Sequence, residues 1–248
     1  GRLTAQASAE IFKAHGYNFL AFTEHDLFTD YRKELNTKDF IILPGIEVSA
    51  YLYDENNFRI KAHHLNGILG PSDFQKKADG LFSHKQYVEP LIGRVSWNGA
   101  EVSQEITDNL RSHGCIVMYN HPIWSRVSPE EYINTKGLWA LEVFNYDTQN
   151  ECAQGFDTHD WDIMLAKNIP IFGAATDDSH HVTEFDDACG GYIMVQADSL
   201  THDTILHAML GGNFYSSSGP VIHNWGVMDD TMWVDCSECG RVNFIAGG

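Results

Sequence analysis

The sequence predicts an α/β fold, and within that class a β/α barrel, on three observations. Short apolar runs typical of buried strands alternate with segments of helical periodicity along most of the chain. Six of these runs end in His, Asp or Glu, and β/α barrels carry their active sites at the C-terminal ends of the strands. The chain has 248 residues, 43% of them hydrophobic, which is enough to bury a large core.

The six strand-like runs share a ligand-type side chain at or just past their C-terminal ends. The runs and the residues that follow them are 18–22 before Glu24, His25 and Asp26; 40–43 before Glu47; 60–62 before His63 and His64; 116–119 before His121; 138–141 before Glu142; and 169–172 before Asp177, Asp178, His180 and His181. Strands that end in His, Asp or Glu are typical of catalytic or metal-binding sites. Six such endings in one chain are more than we expect by chance.

Helical segments are predicted between the runs, and the chain begins on one of them. Thr4 is a candidate N-cap and Gly16 a candidate stop for a helix over 5–13. The other predicted helices are within 29–36, in pieces over 72–111, and at 129–135, 157–167 and 201–210. After residue 212 the pattern becomes turn-rich, with strand-like alternation at 231–236 and 241–245. We therefore predict a barrel domain over 1–212 and a short β extension over 213–248.

The net charge indicates which partners to exclude, and the cysteine content indicates the cellular compartment. The formal net charge is −18, with 34 acidic against 16 basic residues, which argues against nucleic acids and anionic membranes as partners. No apolar run has the eighteen or so residues that a bilayer crossing needs. Five cysteines without framework spacing favour a reducing compartment, so we expect a cytoplasmic protein. Cys236 and Cys239 have the spacing of half a zinc site or a redox pair, but no second pair completes such a site.

The residue types at the strand ends indicate metal chemistry. The chain has thirteen histidines, and imidazole is the commonest metal ligand. Imidazoles beside carboxylates suit zinc, manganese or iron better than calcium, and several of each can hold more than one ion. Neighbouring ions can hold a bridging hydroxide and neutralise the charge of a phosphoryl group, so the pattern favours hydrolysis.

The individual candidates differ in strength. Asp178 and His180 have the strongest pattern, because their D-x-H spacing brings both heads to one side of an extended segment. Glu142 lies within an apolar run, where an unpaired carboxylate is costly, so two interpretations stay open: a role as a ligand or in support of the ligands, and a structural ion pair. Three candidates also fit ordinary loop or turn roles: His25, Glu47 and His121. Their common position, rather than any one residue, carries the interpretation.

In this order, the motifs resemble those of the PHP (polymerase and histidinol phosphatase) domain family. They are T-E-H-D at 23–26, P-G-I-E-V-S at 44–49, H-L-N-G at 64–67, N-H-P at 120–122 and D-S-H at 178–180. The resemblance covers about residues 1–210. It implies a distorted (β/α)7 barrel with a centre of up to three divalent metal ions and the hydrolysis of phosphoesters.

The resemblance also implies roles for individual residues. The implied metal ligands are His25, Glu47, His64, His121, Asp178 and His180. Glu47 would be the bridging carboxylate, and Glu47, His121 and Asp178 would be the catalytic residues. His63 competes with His64 for the same role. Arg126, five residues after His121, is predicted to contact a phosphate, with a solvated loop arginine as the alternative.

One part of the family pattern has no counterpart here. The family begins with a strand carrying H-x-H, followed by Ser-Asp-Gly, and residues 1–4 resemble only the end of that segment. We therefore expect a barrel without its first strand and a centre with one or two ions. Adding that strand is expected to close the barrel and to raise both stability and rate.

The sequence thus predicts a metal-dependent phosphoesterase that hydrolyses a small phosphorylated molecule through a metal-bound hydroxide. Two alternatives remain. One is a degenerate PHP domain that acts as a binding or structural module without catalysis. The other is a hydrolase of a non-phosphate ester or a carbamate, since the same nucleophile serves these reactions.

Overall fold

A nine-stranded mixed sheet forms the centre of the computed structural model, which describes residues 2–244. Its strands are β1 (Phe19–Phe22), β2 (Leu27–Thr29), β3 (Ile41–Tyr53), β4 (Arg59–Leu69), β5 (Lys85–Tyr87), β6 (Leu91–Arg94), β7 (Cys115–Tyr119), β8 (Leu138–Asn145) and β9 (Phe172–Thr176). The helices are α1 (Ala5–Ala14), α2 (Arg32–Leu35), α3 (Ser72–Gln75), α4 (Gly99–Ser112), α5 (Pro122–Ser125), α6 (Tyr146–Cys152), α7 (Thr158–Ala166) and α8 (His202–Leu210).

The strand pairing confirms an α/β fold but differs from an all-parallel sheet. The main path runs β5-β2-β3-β4-β7-β8-β9, and β1 and β6 both pair with β3. Strands β7, β8 and β9 are parallel to one another, as β1 is to β3. Strand β4, however, lies antiparallel to both β3 and β7. Strand β2 is likewise antiparallel to β3 and β5, so the sheet is mixed, with β2 and β4 running against their neighbours.

The reversal of β4 follows from the short connection that precedes it. Asp54 begins this turn, and its Oδ1 accepts hydrogen bonds from the backbone N–H groups of Asn56 at 2.8 Å and Phe58 at 2.9 Å. A parallel crossover needs a dozen or more residues, so a connection this short forces an antiparallel hairpin. The apolar runs predicted the two strands but not their relative direction.

The predicted (β/α)7 barrel is not found, because the sheet does not close within residues 2–244. Among these residues β1 pairs only with β3, and β9 pairs only with β8. A barrel requires every strand to have a neighbour on both sides. Both free edges line one cavity of about 810 Å³. The predicted α/β class is therefore confirmed, whereas a closed barrel is not seen in residues 2–244.

The core lies on both faces of the sheet. On one face Leu65, Val117 and Leu141 pack with Leu110 of α4 in a cluster of buried side chains. Gly67 lets α4 approach closely, because a Cβ at this position would lie 2.6 Å from Leu110 Cδ2. On the other face, α8 covers a second apolar cluster. That cluster includes Leu43, Ile68, Met118, Ala174, Leu206 and Met209.

Most predicted helices occur close to their expected positions, and two regions differ. The helix expected over 129–135 is a single 3₁₀ turn, Pro129–Glu131. The segment 72–111 contains α3 and α4 with strands β5 and β6 between them, rather than helices alone. These two short strands pair with β2 and β3, so long-range pairing overrides a weak local pattern.

The C-terminal part contains two small sheets. Strand β10 (Tyr192–Val195) pairs with β11 (Phe214–Ser217), and β12 (Ile222–Met228) forms a hairpin with β13 (Thr231–Cys236). The β10–β11 pairing crosses residue 212, and the division of the chain there stays a prediction. No strand is assigned at 241–244; Gly1 and residues 245–248 lie outside the described range. Over residues 2–244, none of the helices is long and apolar enough to cross a bilayer.

Candidate metal centre

Glu47 is the central carboxylate of the candidate site. Its side chain is buried, with 3% of the residue exposed. Three imidazoles from separate parts of the chain approach its two oxygens. The distances are 3.1 Å from His25 Nδ1 to Oε2, 3.3 Å from His64 Nδ1 to Oε1, and 3.4 Å from His121 Nε2 to Oε1. The side-chain amide of Asn120 also donates to Oε1 at 2.8 Å.

The β3–β4 register decides between the two adjacent histidines. His64 pairs with Ser49, which lies two residues beyond Glu47 and therefore on the same face of the sheet. His63 pairs with Ala50 and points to the opposite face. There its ring meets the Tyr119 hydroxyl and lies near Trp97 (ring centroids 4.9 Å apart). The structure thus places His64, and not His63, beside Glu47.

His121 and Asp178 meet on the other side of Glu47. His121 Nε2 lies 3.7 Å from Asp178 Oδ2. The backbone N–H of His121 donates to Glu142 Oε2 at 2.8 Å, and the amide of Asn145 donates to both Glu142 and Asp178 at 3.1 Å. Glu142 also accepts a hydrogen bond from Thr176. Glu142 therefore supports the chain segments that carry His121 and Asp178 through hydrogen bonds.

His180 joins the centre to a second group of possible ligands. Its Nε2 lies 3.3 Å from His25 Nε2, whereas its Nδ1 lies 3.9 Å from Asp147 Oδ1 on the other side of the ring. Asp187 accepts a hydrogen bond from the His180 backbone N–H at 2.8 Å. Ligand atoms of Asp147, His180 and Asp187 lie within 4.8 Å of one another, as do those of His25, Glu47 and His64.

The sequence reasoning missed Asp147 and Asp187. Asp147 follows β8 by two residues, so it fits the strand-end rule and could have been found by extending that rule into α6. Asp187 lies in a loop without strand or helix, and only the fold brings it to His180. Arg126 is exposed and ends α5 in a left-handed conformation (φ 61°). Its predicted contact with a phosphate stays a prediction.

The pKa of Glu47 is lowered and that of His121 is raised, in both cases against the effect of burial. Burial opposes ionisation of Glu47, yet the imidazoles of His64 and His121 hold its pKa well below the ordinary value. Burial also opposes the charged form of His121, but Glu47, Glu142 and Asp178 raise its pKa to about 10. Burial and the nearby charge of Asp178 raise the pKa of Asp147 to about 7. The centre therefore combines one strongly acidic carboxylate with a strongly basic imidazole.

The residues present fit a divalent transition metal. Both ring nitrogens of His64 are buried; Nδ1 lies 3.3 Å from Glu47 Oε1, and Nε2 has no hydrogen-bond partner among residues 2–244. A buried polar atom without a partner is costly unless it binds something, and a lone pair on each imidazole is what a metal ion requires. Imidazole and carboxylate donors together suit zinc, manganese or iron.

The candidate centre opens into the cavity of about 810 Å³. Polar groups line one part of it, including Glu24, His25, Glu47, Glu142, Asp178 and His180. Glu47 and Glu142 lie within β3 and β8, and not at the strand ends where the sequence placed them. Apolar side chains line the rest, including Leu43, Ile68, Met118, Trp139, Ile205 and Met209. A pocket of this size and mixed lining suits a small molecule.

The chain has a distant structural neighbour but no match among family models or curated proteins. No protein-family model matches the sequence, and no curated protein matches it. One structural neighbour is a two-domain protein from Bacteroides vulgatus that contains a predicted PHP-like metal-dependent phosphoesterase. It has a TM-score of 0.47 and 13% sequence identity, with 86% of this chain and 60% of that chain covered. The chain thus spans about 60% of that neighbour's length. This likeness is too distant to support a function.

Metal binding at pH 8 is expected to release about one proton. His121 has a pKa of about 10 in the metal-free protein, so its imidazole is protonated at pH 8 and must lose the proton to become a ligand. Metal affinity should consequently fall as the pH drops from about 10, with loss of metal below about pH 6, where ordinary imidazoles also become protonated. Calorimetry in two buffers of different ionisation enthalpy measures the proton count. Zero release at pH 8 would contradict ligation by His121.

Proposed function

We propose that this protein is a metal-dependent phosphoesterase that acts on a small phosphorylated molecule. The observation that carries the proposal is the contact of one buried carboxylate, Glu47, with three imidazole nitrogens at 3.1–3.4 Å. Glu47, His64 and His121 are buried, and taking such groups out of water carries a large desolvation penalty, so the arrangement is costly for a purely structural role. A function that uses their lone pairs explains it.

The proposed ligand set keeps the residues from the sequence motifs. It consists of His25, Glu47, His64, His121, Asp178 and His180. The ligand atoms of His25, Glu47 and His64 lie within 4.8 Å of one another and favour one ion position, and those of His180, Asp147 and Asp187 favour a second. His121 and Asp178 lie on the other side of Glu47. When bound, such ions polarise a phosphoryl oxygen and lower the pKa of a water molecule. Zinc, manganese and iron all suit these donors.

The residues around the ligands have positioning roles in this proposal. Glu142 fixes the backbone of His121, and Asn145 holds Asp178 through its side-chain amide. Asp147 faces the nitrogen of His180 that points away from His25, so it can fix the orientation and tautomer of that ring. The apolar part of the cavity would receive the non-phosphate part of the substrate and exclude water from it.

The test is a metal analysis combined with a substrate screen. Protein purified without chelator is analysed for metals, then assayed with added manganese or zinc against phosphomonoesters, phosphodiesters, carboxyl esters and carbamates. Turnover of phosphoesters alone supports the proposal. Turnover of only the other esters supports the second hydrolase reading, and bound metal without any turnover supports the binding module.

His180→Ala is expected to weaken metal binding by at least about tenfold, since losing even a supporting residue of a metal site has an effect of this size. The matched control is His159→Ala, because His159 is exposed on α7. Bound metal is measured by elemental analysis after equilibration at a limiting metal concentration. A wild-type protein as free of metal as the His180→Ala variant would refute the metal centre.

A further inference from the structure

Arg59 has an unusual position for a surface arginine. Its guanidinium carbon lies 5.6 Å from the centre of the Tyr51 ring and 5.5 Å from the centre of the Trp124 ring. No hydrogen bond or salt bridge to the guanidinium is found among residues 2–244, although the chain has 34 acidic residues. Two rings therefore hold a cation whose N–H donors have no protein acceptor within these residues.

A β-bulge places Arg59 on the face of the sheet that carries the candidate centre. In regular alternation, Arg59 would share the opposite face with Lys61 and His63. The β3–β4 register shifts here, however, because Leu52 pairs with Lys61 and Tyr53 pairs with Arg59, which leaves Ile60 without an opposite residue. Bulges reorient side chains in this way and are frequent beside active sites. Arg59 consequently lies on the same face as Tyr51, Tyr53 and Glu47.

The two rings that hold Arg59 also touch the proposed ligands. The Tyr51 ring centroid lies 5.8 Å from that of His64. The Trp124 ring centroid lies 5.9 Å from that of His64 and 5.1 Å from that of His121. Trp124 is itself fixed by a 2.9 Å hydrogen bond from its indole N–H to Glu151. The guanidinium is thus one aromatic ring away from two imidazoles of the centre.

From this geometry we infer that Arg59, held between Tyr51 and Trp124, forms an anion-binding subsite for the phosphoryl group of the substrate. The inference rests on the proposed function and extends it by naming the residue that binds the substrate's charge. A guanidinium offers a planar pair of donors that matches two phosphoryl oxygens, and the cation–π contacts with the two rings favour its position beside them.

The charge balance of the protein supports this assignment. With a net charge of −18, the chain repels anions, and the carboxylates around the centre add to that repulsion. Arg59, with no carboxylate paired to it among residues 2–244, lowers the barrier to an approaching phosphoryl group. Arg126, the arginine that the sequence favoured, lacks any comparable aromatic support among residues 2–244.

The test measures binding of inorganic phosphate to the manganese-loaded protein by calorimetry. Arg59→Gln is expected to weaken phosphate binding by about ten- to hundredfold, the usual effect of losing hydrogen bonds to a charged group. Arg59→Lys keeps the charge but loses the planar fork, so its affinity should lie between those of wild type and Arg59→Gln. The control is Lys38→Gln, which removes the same charge from a side chain that is 90% exposed. It should bind phosphate within about twofold of wild type.

Metal content is measured on the same samples, so that the two proposals can fail separately. Unchanged phosphate affinity in Arg59→Gln, or no phosphate binding by wild type, overturns the inference, whatever the metal content. A normal metal content in that case leaves the metal centre standing. Phosphate binding that depends on Arg59 in a protein that takes up no metal supports the subsite and overturns the metal-dependent phosphoesterase.

Discussion

Replacing Glu47 with glutamine is expected to lower metal affinity by at least about a hundredfold and to remove metal-dependent hydrolysis with it. Substitutions in the shell that merely supports metal ligands cost about ten- to a hundredfold, and Glu47 contacts three imidazoles directly. Glutamine keeps the shape of the side chain but presents an amide, which carries no charge and turns a donor toward groups that need an acceptor.

The matched control for Glu47→Gln is Glu101→Gln, because Glu101 is exposed in the first turn of α4. Bound metal and initial rates on the best phosphoester of the screen are measured for both variants, with circular dichroism as a check on folding. A Glu47→Gln protein that binds and turns over like wild type would exclude this carboxylate from the centre.

Leu65→Ala is expected to lower the free energy of unfolding by about 2–5 kcal/mol, the range for a fully buried leucine that leaves a cavity. Leu65 is 0% exposed and packs in the cluster with Leu110, Val117 and Leu141. Because Leu65 lies between His64 and Asn66 on β4, this core directly supports the strand that carries a proposed ligand.

Chemical denaturation of the metal-free protein measures this effect. Leu65→Met is the control, since a swap that conserves volume usually costs less than about 1.5 kcal/mol. Equal stabilities of wild type and Leu65→Ala would show that this face of the sheet does not form the packed core described. If Leu65→Ala still binds metal, its gain in stability on loading should match that of wild type, because the mutation removes no ligand.

Several parts of the fold follow from local sequence patterns. The helix predicted over 157–167 agrees with α7 to within a residue at each end, and the apolar run 138–141 lies within β8. Alternation, capping and apolar runs depend on neighbouring residues, so a sequence pattern is enough to locate such elements. The direction of β4, the short strands β5 and β6, and the open edges of β1 and β9 depend on pairing between distant segments, which no local pattern encodes.

Some residues of the candidate site could likewise be found from the sequence, whereas others needed the fold. The strand-end rule alone brought His25, Glu47, His121, Asp178 and His180 to attention, and in the structure these residues lie together. His25, His121 and Asp178 do follow the ends of β1, β7 and β9. Glu47, in contrast, lies in the middle of β3, and pairing across the sheet brings it beside His25.

The sequence by itself determined the α/β class, the acidic charge and the run of imidazoles and carboxylates at strand ends. Only the tertiary structure decided that His64 rather than His63 faces Glu47, and that Asp147 lies beside His180. Only it showed that a bulge at Ile60 turns Arg59 toward the centre. The physical reason is that side chains alternate with a period of two along a strand, so a single step of register moves a residue to the other face. Register is fixed by pairing across the sheet.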